Sequence, residues 1–246
     1  IIRNISEEDL SNLCRRVENQ NNWFSPSQTK NALNALLVFL NKESLKNWLS
    51  VYDLFPANDP KSVGVLMAGN IPAVGFHDLM CVLLTGHRAC IKLSSSDQVL
   101  ILWLIEKLVS IQPKFKSLIS VEEMLKNKDA YIATGSDNSA RYFEYYFGKY
   151  PNIIRKNRTS VGILDGTESK EDFSKLGSDI FQYYGLGCRN VSKIFVPSRE
   201  ILISFMDSIE DFSEIANNHK YFHNYEYNKS ILLVNKEDHL DNGFLI

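Results

Sequence analysis

Apolar positions along this chain change their period near residue 60. Before that point they recur at helical spacing. Ser6-Glu7-Glu8-Asp9 places a serine cap and three acids where a helix should start. Ser25-Pro26-Ser27-Gln28 repeats the signal, with a serine cap, proline at the first helical position and glutamine three residues on. Leu33, Leu36, Leu37, Phe39 and Leu40 then keep one helical face apolar. Residues 44–54 suggest a third helix, and Pro56 to Pro60 a break. Residues 1–60 are therefore expected to form a helical N-terminal segment without chemistry of its own.

Beyond the break, short apolar runs alternate with helical patterns. Ser62-Val63-Gly64-Val65-Leu66-Met67 reads as a strand buried on both faces. A helical stretch over 73–84 follows and closes at Gly86. Residues 89–93, 129–133 and 159–164 read as further strands, with helices over 97–110 and 138–147 between them. This alternation predicts an α/β fold, a parallel sheet with helices on its faces. A further patterned segment, 172–184, runs into a strand pattern at 191–196.

Ligands of such sheets bind beyond the carboxyl ends of the strands. Three turns lie there. In Ala68-Gly69-Asn70-Ile71-Pro72, Gly69 allows close approach, and Asn70 offers an amide to an oxyanion or caps a helix starting near Pro72. Lys92-Leu93-Ser94-Ser95-Ser96 sets a cation before three hydroxyls. Ala133-Thr134-Gly135-Ser136-Asp137 offers backbone N–H groups at a helix start, with Asp137 expected as the cap.

The stretch Gln182-Tyr183-Tyr184-Gly185-Leu186-Gly187-Cys188-Arg189-Asn190 is different. Two glycines free the backbone, and a thiol follows at once, displayed on a turn. A nucleophilic cysteine would sit in such a place, and so would an ordinary loop cysteine. The neighbouring Arg189 could raise its thiolate fraction, and His77 is a candidate base. Cys81 and Cys90 lie in apolar segments and are expected in the core, and Cys14 lies on the first helix.

Composition narrows the classes. The formal net charge is −2 with basic residues dispersed, which provides no footprint for nucleic acid. No apolar run reaches bilayer-spanning length, and no signal peptide opens the chain. Four cysteines far apart in sequence read as reduced thiols, so a cytoplasmic location is expected. Both ends look cut, the last residues resembling a strand in mid-course. Neither GxGxxG nor GxxxxGK[ST] nor GxSxG occurs. His219 and His223 stand four apart with Lys220 where a zinc protease helix carries glutamate, so no metal site is expected.

Taken together, these turns resemble the aldehyde dehydrogenase superfamily, and within it the acyl-CoA reductase, LuxC-type, branch. The similarity runs from about residue 61 to 197. Gly69-Asn70-Ile71-Pro72 is similar to the turn whose asparagine supplies an oxyanion-hole amide. Lys92 and Ser94 match a strand end that meets the adenosine ribose. Thr134, Gly135 and Ser136 match a turn that meets the cofactor phosphates, and Cys188 stands at the place of the nucleophile. No piece is specific alone; their order and spacing agree.

The resemblance implies reduction of an acyl-CoA, fatty acyl above all, to an aldehyde through a cysteine thioester, with NADPH or NADH and a possible homo-oligomer. Two departures refine it. Ile153-Ile154-Arg155-Lys156-Asn157 lacks the carboxylate that activates water in hydrolytic members. Ser94-Ser95-Ser96 replaces a ribose-binding glutamate, which makes NADPH plausible. The resemblance also implies a Rossmann-like cofactor domain, a parallel sheet with helices on both faces, over 61–184, a second, truncated α/β domain over 185–246, and the remaining catalytic segment beyond Ile246. An acyl-phosphate reductase, or a non-catalytic nucleotide-binding module, are the other readings.

Overall fold

The structure is a computed structural model that describes residues 2–52 and 59–246. The chain divides into two compact units, Ile1–Asn157 and Arg158–Ile246.

The first unit begins with three helices, α1 (Glu7–Gln20), α2 (Pro26–Phe39) and α3 (Lys42–Leu49). Ser6 and Ser25 cap the first two as the sequence implies, each hydroxyl accepting an N–H three residues on. The third starts at its Asn41 cap, two residues earlier than expected. The expected continuation to residue 54, and most of the break at 56–60, fall outside the described residues.

Five strands then form one parallel sheet: β1 (Ser62–Leu66), β2 (Arg88–Lys92), β3 (Ile119–Val121), β4 (Ala130–Thr134) and β5 (Asn152–Arg155). Their spatial order is β3-β2-β1-β4-β5. The connecting helices are α4 (Phe76–Leu84), α5 (Gln98–Ile111) and α6 (Asp137–Phe147). Side chains alternate between faces, as strand geometry requires. Val63, Val65, Ala89 and Ile91 pack with α1, α2, α4 and α5. Cys90 and Tyr131 point to the other face, where Phe147 of α6 stacks on Tyr131 at 4.3 Å. Helices thus cover both faces.

Two expectations change here. The helix expected from 73 starts at Phe76, because Ala73 sits in the left-handed region at φ 58°. It ends as expected at Gly86, whose φ of 79° permits the closing bond from His87 N–H to the Val82 carbonyl. The sheet gains β3 and β5, which the apolar pattern did not announce. Both are edge strands, and Val121 and Ile153 are exposed.

The second unit holds β6 (Ser160–Ile163), α7 (Lys170–Phe181), β7 (Val191–Phe195), α8 (Arg199–Ser208) and α9 (His219–Asn235). The 159–164 strand therefore does not extend the larger sheet; it pairs in parallel with β7, with a register shift between Ser160 and Val161. The chain's first compact unit accordingly ends at Asn157, not near 184. Leu164, Phe173, Phe181, Phe205, Met206, Ile209 and Phe244 form this unit's own core. The residues read as a strand in mid-course, 243–246, are instead irregular: Gly243 has φ 94°, and Tyr221 Oη donates to the Phe244 carbonyl at 2.9 Å.

Candidate active site

The sheet order reverses beside β1: β2 and β3 lie on one side, β4 and β5 on the other. Ligand crevices in doubly wound sheets open at that switch point, outside the carboxyl ends of the strands. In this sheet the register pairs Leu66 with both Lys92 and Ala133, so the turns after β1, β2 and β4 leave the sheet at one edge. Gly69, Asn70, Lys92, Ser94, Thr134, Gly135 and Ser136 are all on those turns or strand ends.

The first two turns touch. A Cβ added at Gly69 would lie 2.3 Å from Ser94 Oγ and 2.5 Å from Ser94 Cβ, so no larger residue fits without movement. The Met67 N–H donates to the Lys92 carbonyl at 3.1 Å, continuing the pairing past the strand end. Ser94 shapes its own turn: its Oγ accepts the Ser96 N–H at 3.3 Å and its carbonyl the Asp97 N–H at 3.1 Å. Asn70 is exposed and does not cap α4, whose N-cap position is Gly75. Lys92 is exposed at the end of β2.

Asp97 joins these turns and was missed as a site residue, having been read only as a helix start. It precedes α5 but makes no capping bond. Instead its Oδ2 accepts the Ala73 N–H at 2.8 Å, while Oδ1 has no hydrogen-bond partner among the described residues. With 1% of its surface exposed, burial pushes its carboxyl up to about 8, outweighing the Ala73 N–H, which lowers it.

At the third turn, Ser136 rather than Asp137 caps α6, accepting the Ser139 N–H at 3.3 Å. Asp137 is the first helical residue, placed where the helix dipole favours an acid. The Gly135 N–H is spent on the Arg155 carbonyl at 3.2 Å. Thr134 Oγ1 accepts from Arg155 Nη1 at 3.4 Å.

Arg155 leads to a second cluster that the pattern did not reveal. Its Nη1 donates to Asp78 Oδ1 at 2.8 Å and Oδ2 at 2.7 Å, joining the end of β5 to the first turn of α4. Burial would raise the Asp78 carboxyl, but hydrogen bonds from His77 and Arg155 hold it below the usual range. His77 is pushed up to about 9, chiefly by its hydrogen bond to Asp78 and then by Cys81. It therefore keeps its proton at neutral pH. Cys81, expected in the core, is only partly buried, its Sγ 3.8 Å from His77 Nε2.

Cys188 belongs to the second unit and is exposed, while Cys14 and Cys90 are buried. The backbone approaches it through three left-handed residues, Tyr183 (φ 52°), Tyr184 (φ 57°) and Gly185 (φ 72°). Only one of the two glycines uses its freedom; the tyrosines carry the remaining bend, a strained choice for bulky residues. Asn190 then grips the turn. Its Oδ1 accepts the Gly187 N–H at 2.8 Å, and its Nδ2 donates to the carbonyls of Asp179 at 2.8 Å and Gln182 at 3.0 Å. An asparagine three residues beyond a glycine was the available signal for it, since asparagine side chains commonly close such turns.

A family model described as acyl-CoA reductase (LuxC) matches residues 2–204. The chain belongs to that family. A relative, the long-chain acyl-protein thioester reductase of Aliivibrio fischeri, is 23% identical over 168 residues, 61% of this chain and 35% of that protein. The fold recurs in solved aldehyde dehydrogenase-type structures. An NADP-dependent enzyme of E. coli superposes with a TM-score of 0.66 at 14% identity, covering 83% of this chain and 47% of that one. The glyceraldehyde-3-phosphate dehydrogenase GapN of Methanocaldococcus jannaschii, complexed with NADP, gives 0.62 at 14% identity, covering 83% and 52%. This LuxC-family chain thus spans about a third of the curated relative's length and about half of the solved structures'.

Proposed function

We propose that this chain carries the cofactor-binding part and the nucleophile of a reductase that converts an acyl thioester, acyl-CoA, to an aldehyde. The observation that carries the reading is Cys188: the exposed cysteine, on a turn held by Asn190, at the position where the resemblance requires a nucleophile. The matched family is described as an acyl-CoA reductase, and the Aliivibrio relative's name gives an acyl-protein thioester as its substrate. Both donors are thioesters.

The first unit suits a nicotinamide dinucleotide. At one sheet edge it offers an exposed lysine, Lys92, the hydroxyls of Ser94 and Thr134, and the N-terminus of α6. The NADP and NAD+ complexes among its structural relatives agree with this. The one acid directly after the serine run, Asp97, is buried and protonated near neutral pH, so no carboxylate there opposes a 2′-phosphate. That favours NADPH over NADH. The bound cofactor supplies a hydride to the acyl carbon.

In the reaction, the Cys188 thiolate attacks the thioester carbonyl, the carbon–sulfur bond to CoA breaks, and CoA leaves as a thiolate that takes a proton from solvent. Hydride addition at the acyl carbon then leads to cleavage of its bond to Cys188, which restores the Cys188 thiolate and frees the aldehyde. The resemblance assigns an oxyanion-stabilising amide to Asn70; losing one such donor typically costs about 10²–10³ in rate. The stretch 153–157, where the resemblance puts a water-activating carboxylate, has none, and Arg155 in it is tied to Asp78. That stretch supplies no base for water attack on the thioester, which fits acyl transfer to and from thiols.

The test is intact mass spectrometry after incubation with a series of acyl-CoAs. The expected result is a single acyl adduct on Cys188, absent from Cys188→Ala. An undiminished adduct in that variant ends the assignment. Turnover of acyl phosphate but not acyl-CoA would move the protein to the other reductase class.

A further inference from the structure

We infer that Asn190 is a positioning residue for this chemistry: its carboxamide sets the geometry of the turn that presents Cys188. The inference rests on the proposed nucleophile for its role in turnover, and on geometry alone for its effect on the turn.

The segment between α7 and β7 is held by contacts from several residues, among them the Tyr184 ring, which lies 6.3 Å from that of Tyr221. Its conformation passes through Tyr183, Tyr184 and Gly185 in the left-handed region, and such residues persist only where surrounding contacts hold them. Leu186 N–H bonds to the Tyr183 carbonyl at 3.1 Å, and Asn190 N–H to the Gly187 carbonyl at 3.0 Å. The side chain of Asn190 adds to this closure. Asn190 Oδ1 takes the Gly187 N–H, so the loop Gly187-Cys188-Arg189-Asn190 is closed from both ends. Asn190 Nδ2 meanwhile donates to the carbonyls of Asp179 and Gln182, with Ile180 at 3.4 Å. Carbonyls in the last turn of a helix lack helical partners, and here the amide of Asn190 supplies them.

The side chain must accept on one atom and donate on the other at the same time. Asparagine does this; aspartate accepts only, and alanine does neither. The nucleophile is thereby pinned to the end of α7. A shift of about 1 Å in a reacting group can cost about 10² in rate, so the pin matters for kcat more than for substrate binding.

Two variants separate the halves of the grip. Asn190→Asp keeps the acceptor for Gly187 but sets a carboxylate against helix carbonyls. Asn190→Ala removes both. Circular dichroism and NADPH titration first show that each variant is folded. The expected result is a kcat reduced by about 10–10² in both, with the KM for NADPH within twofold of the parent. A second readout needs no turnover: a nitroxide attached to Cys188, in a Cys81→Ser background, read by electron spin resonance. The parent should give a broad, motionally restricted spectrum that sharpens in both variants. Unchanged spectra, or a change in KM with kcat intact, overturn the inference. Sharpened spectra in a protein whose Cys188 is never acylated leave the turn assignment standing and remove only the reductase reading.

Discussion

The carboxyl of Asp97 accepts the backbone N–H of Ala73 at 2.8 Å, tying the turn after β2 to the turn after β1. Ala73 follows the Asn70-Ile71-Pro72 segment and holds φ 58°, so this bond supports a conformation that alanine avoids when unconstrained. A residue that supports the turn after β1 thus comes from the turn that follows Lys92.

This buried acid makes stability depend on pH. Asp97 titrates at about 8 in the folded chain against 3.8 for an unperturbed aspartate. Between those values the folded state holds a proton that the unfolded state releases. Stability is therefore greatest at the acid end of this window and declines as pH rises through it, by at most about 1.4 kcal/mol per pH unit. His77, raised to about 9 chiefly by Asp78, adds a decline of the same sign above pH 6.5. Urea midpoints of Asp97→Asn should fall less between pH 5 and 8 than those of the parent; parallel curves would refute the assignment.

Gly69 should tolerate no side chain while Ser94 stands opposite. Gly69→Ala is expected to lower stability by about 1–3 kcal/mol through overpacking and to weaken NADPH binding. Because both Oγ and Cβ of Ser94 obstruct the new methyl, Ser94→Gly should recover part of the loss in the double variant. Additive effects in denaturant melts would show that the two turns do not touch in solution.

The Asp78–Arg155 pair should behave as a unit. Arg155→Met leaves the Asp78 carboxylate largely buried, with only His77 to balance it. Arg155 retains some solvent access, so we expect a loss of about 1–3 kcal/mol, below the range for a fully buried pair. Adding Asp78→Asn should restore stability, measured by thermal unfolding. A double variant worse than the sum of its parts would contradict the pairing.

Mild alkylation should order the four thiols. Cys188 should react first, the partly buried Cys81 next, and the buried Cys14 and Cys90 only on unfolding. Burial raises the Cys14 thiol further, which reduces its thiolate fraction. Peptide mapping after iodoacetamide at native pH reads the order, and early modification of Cys90 would contradict the burial of β2.

Much of this was legible in the residue pattern. The serine caps at Ser6 and Ser25, the apolar run of β1, and the Gly86 stop each express local physics that no tertiary contact needs to supply. The turns at Gly69, Lys92 and Thr134 were placed correctly because a parallel sheet puts successive carboxyl ends on one edge. Strands β3 and β5 escaped notice, since Ile119–Val121 and Asn152–Arg155 are too short for a period to show. The 159–164 segment was read correctly as a strand, but its pairing with Val191–Phe195 depended on a partner about 30 residues away.

By itself, the sequence determined the α/β alternation, the order of the turns and the exposed cysteine after two glycines, because periodicity and backbone permissiveness act over a few residues. Only the tertiary structure decided what those turns lean on: Asp97 against Ala73, Gly69 against Ser94, Arg155 on Asp78, and Asn190 across the turn of Cys188. Hydrogen bonds and close contacts between distant segments leave no fixed spacing in the chain, so packing alone assigns them.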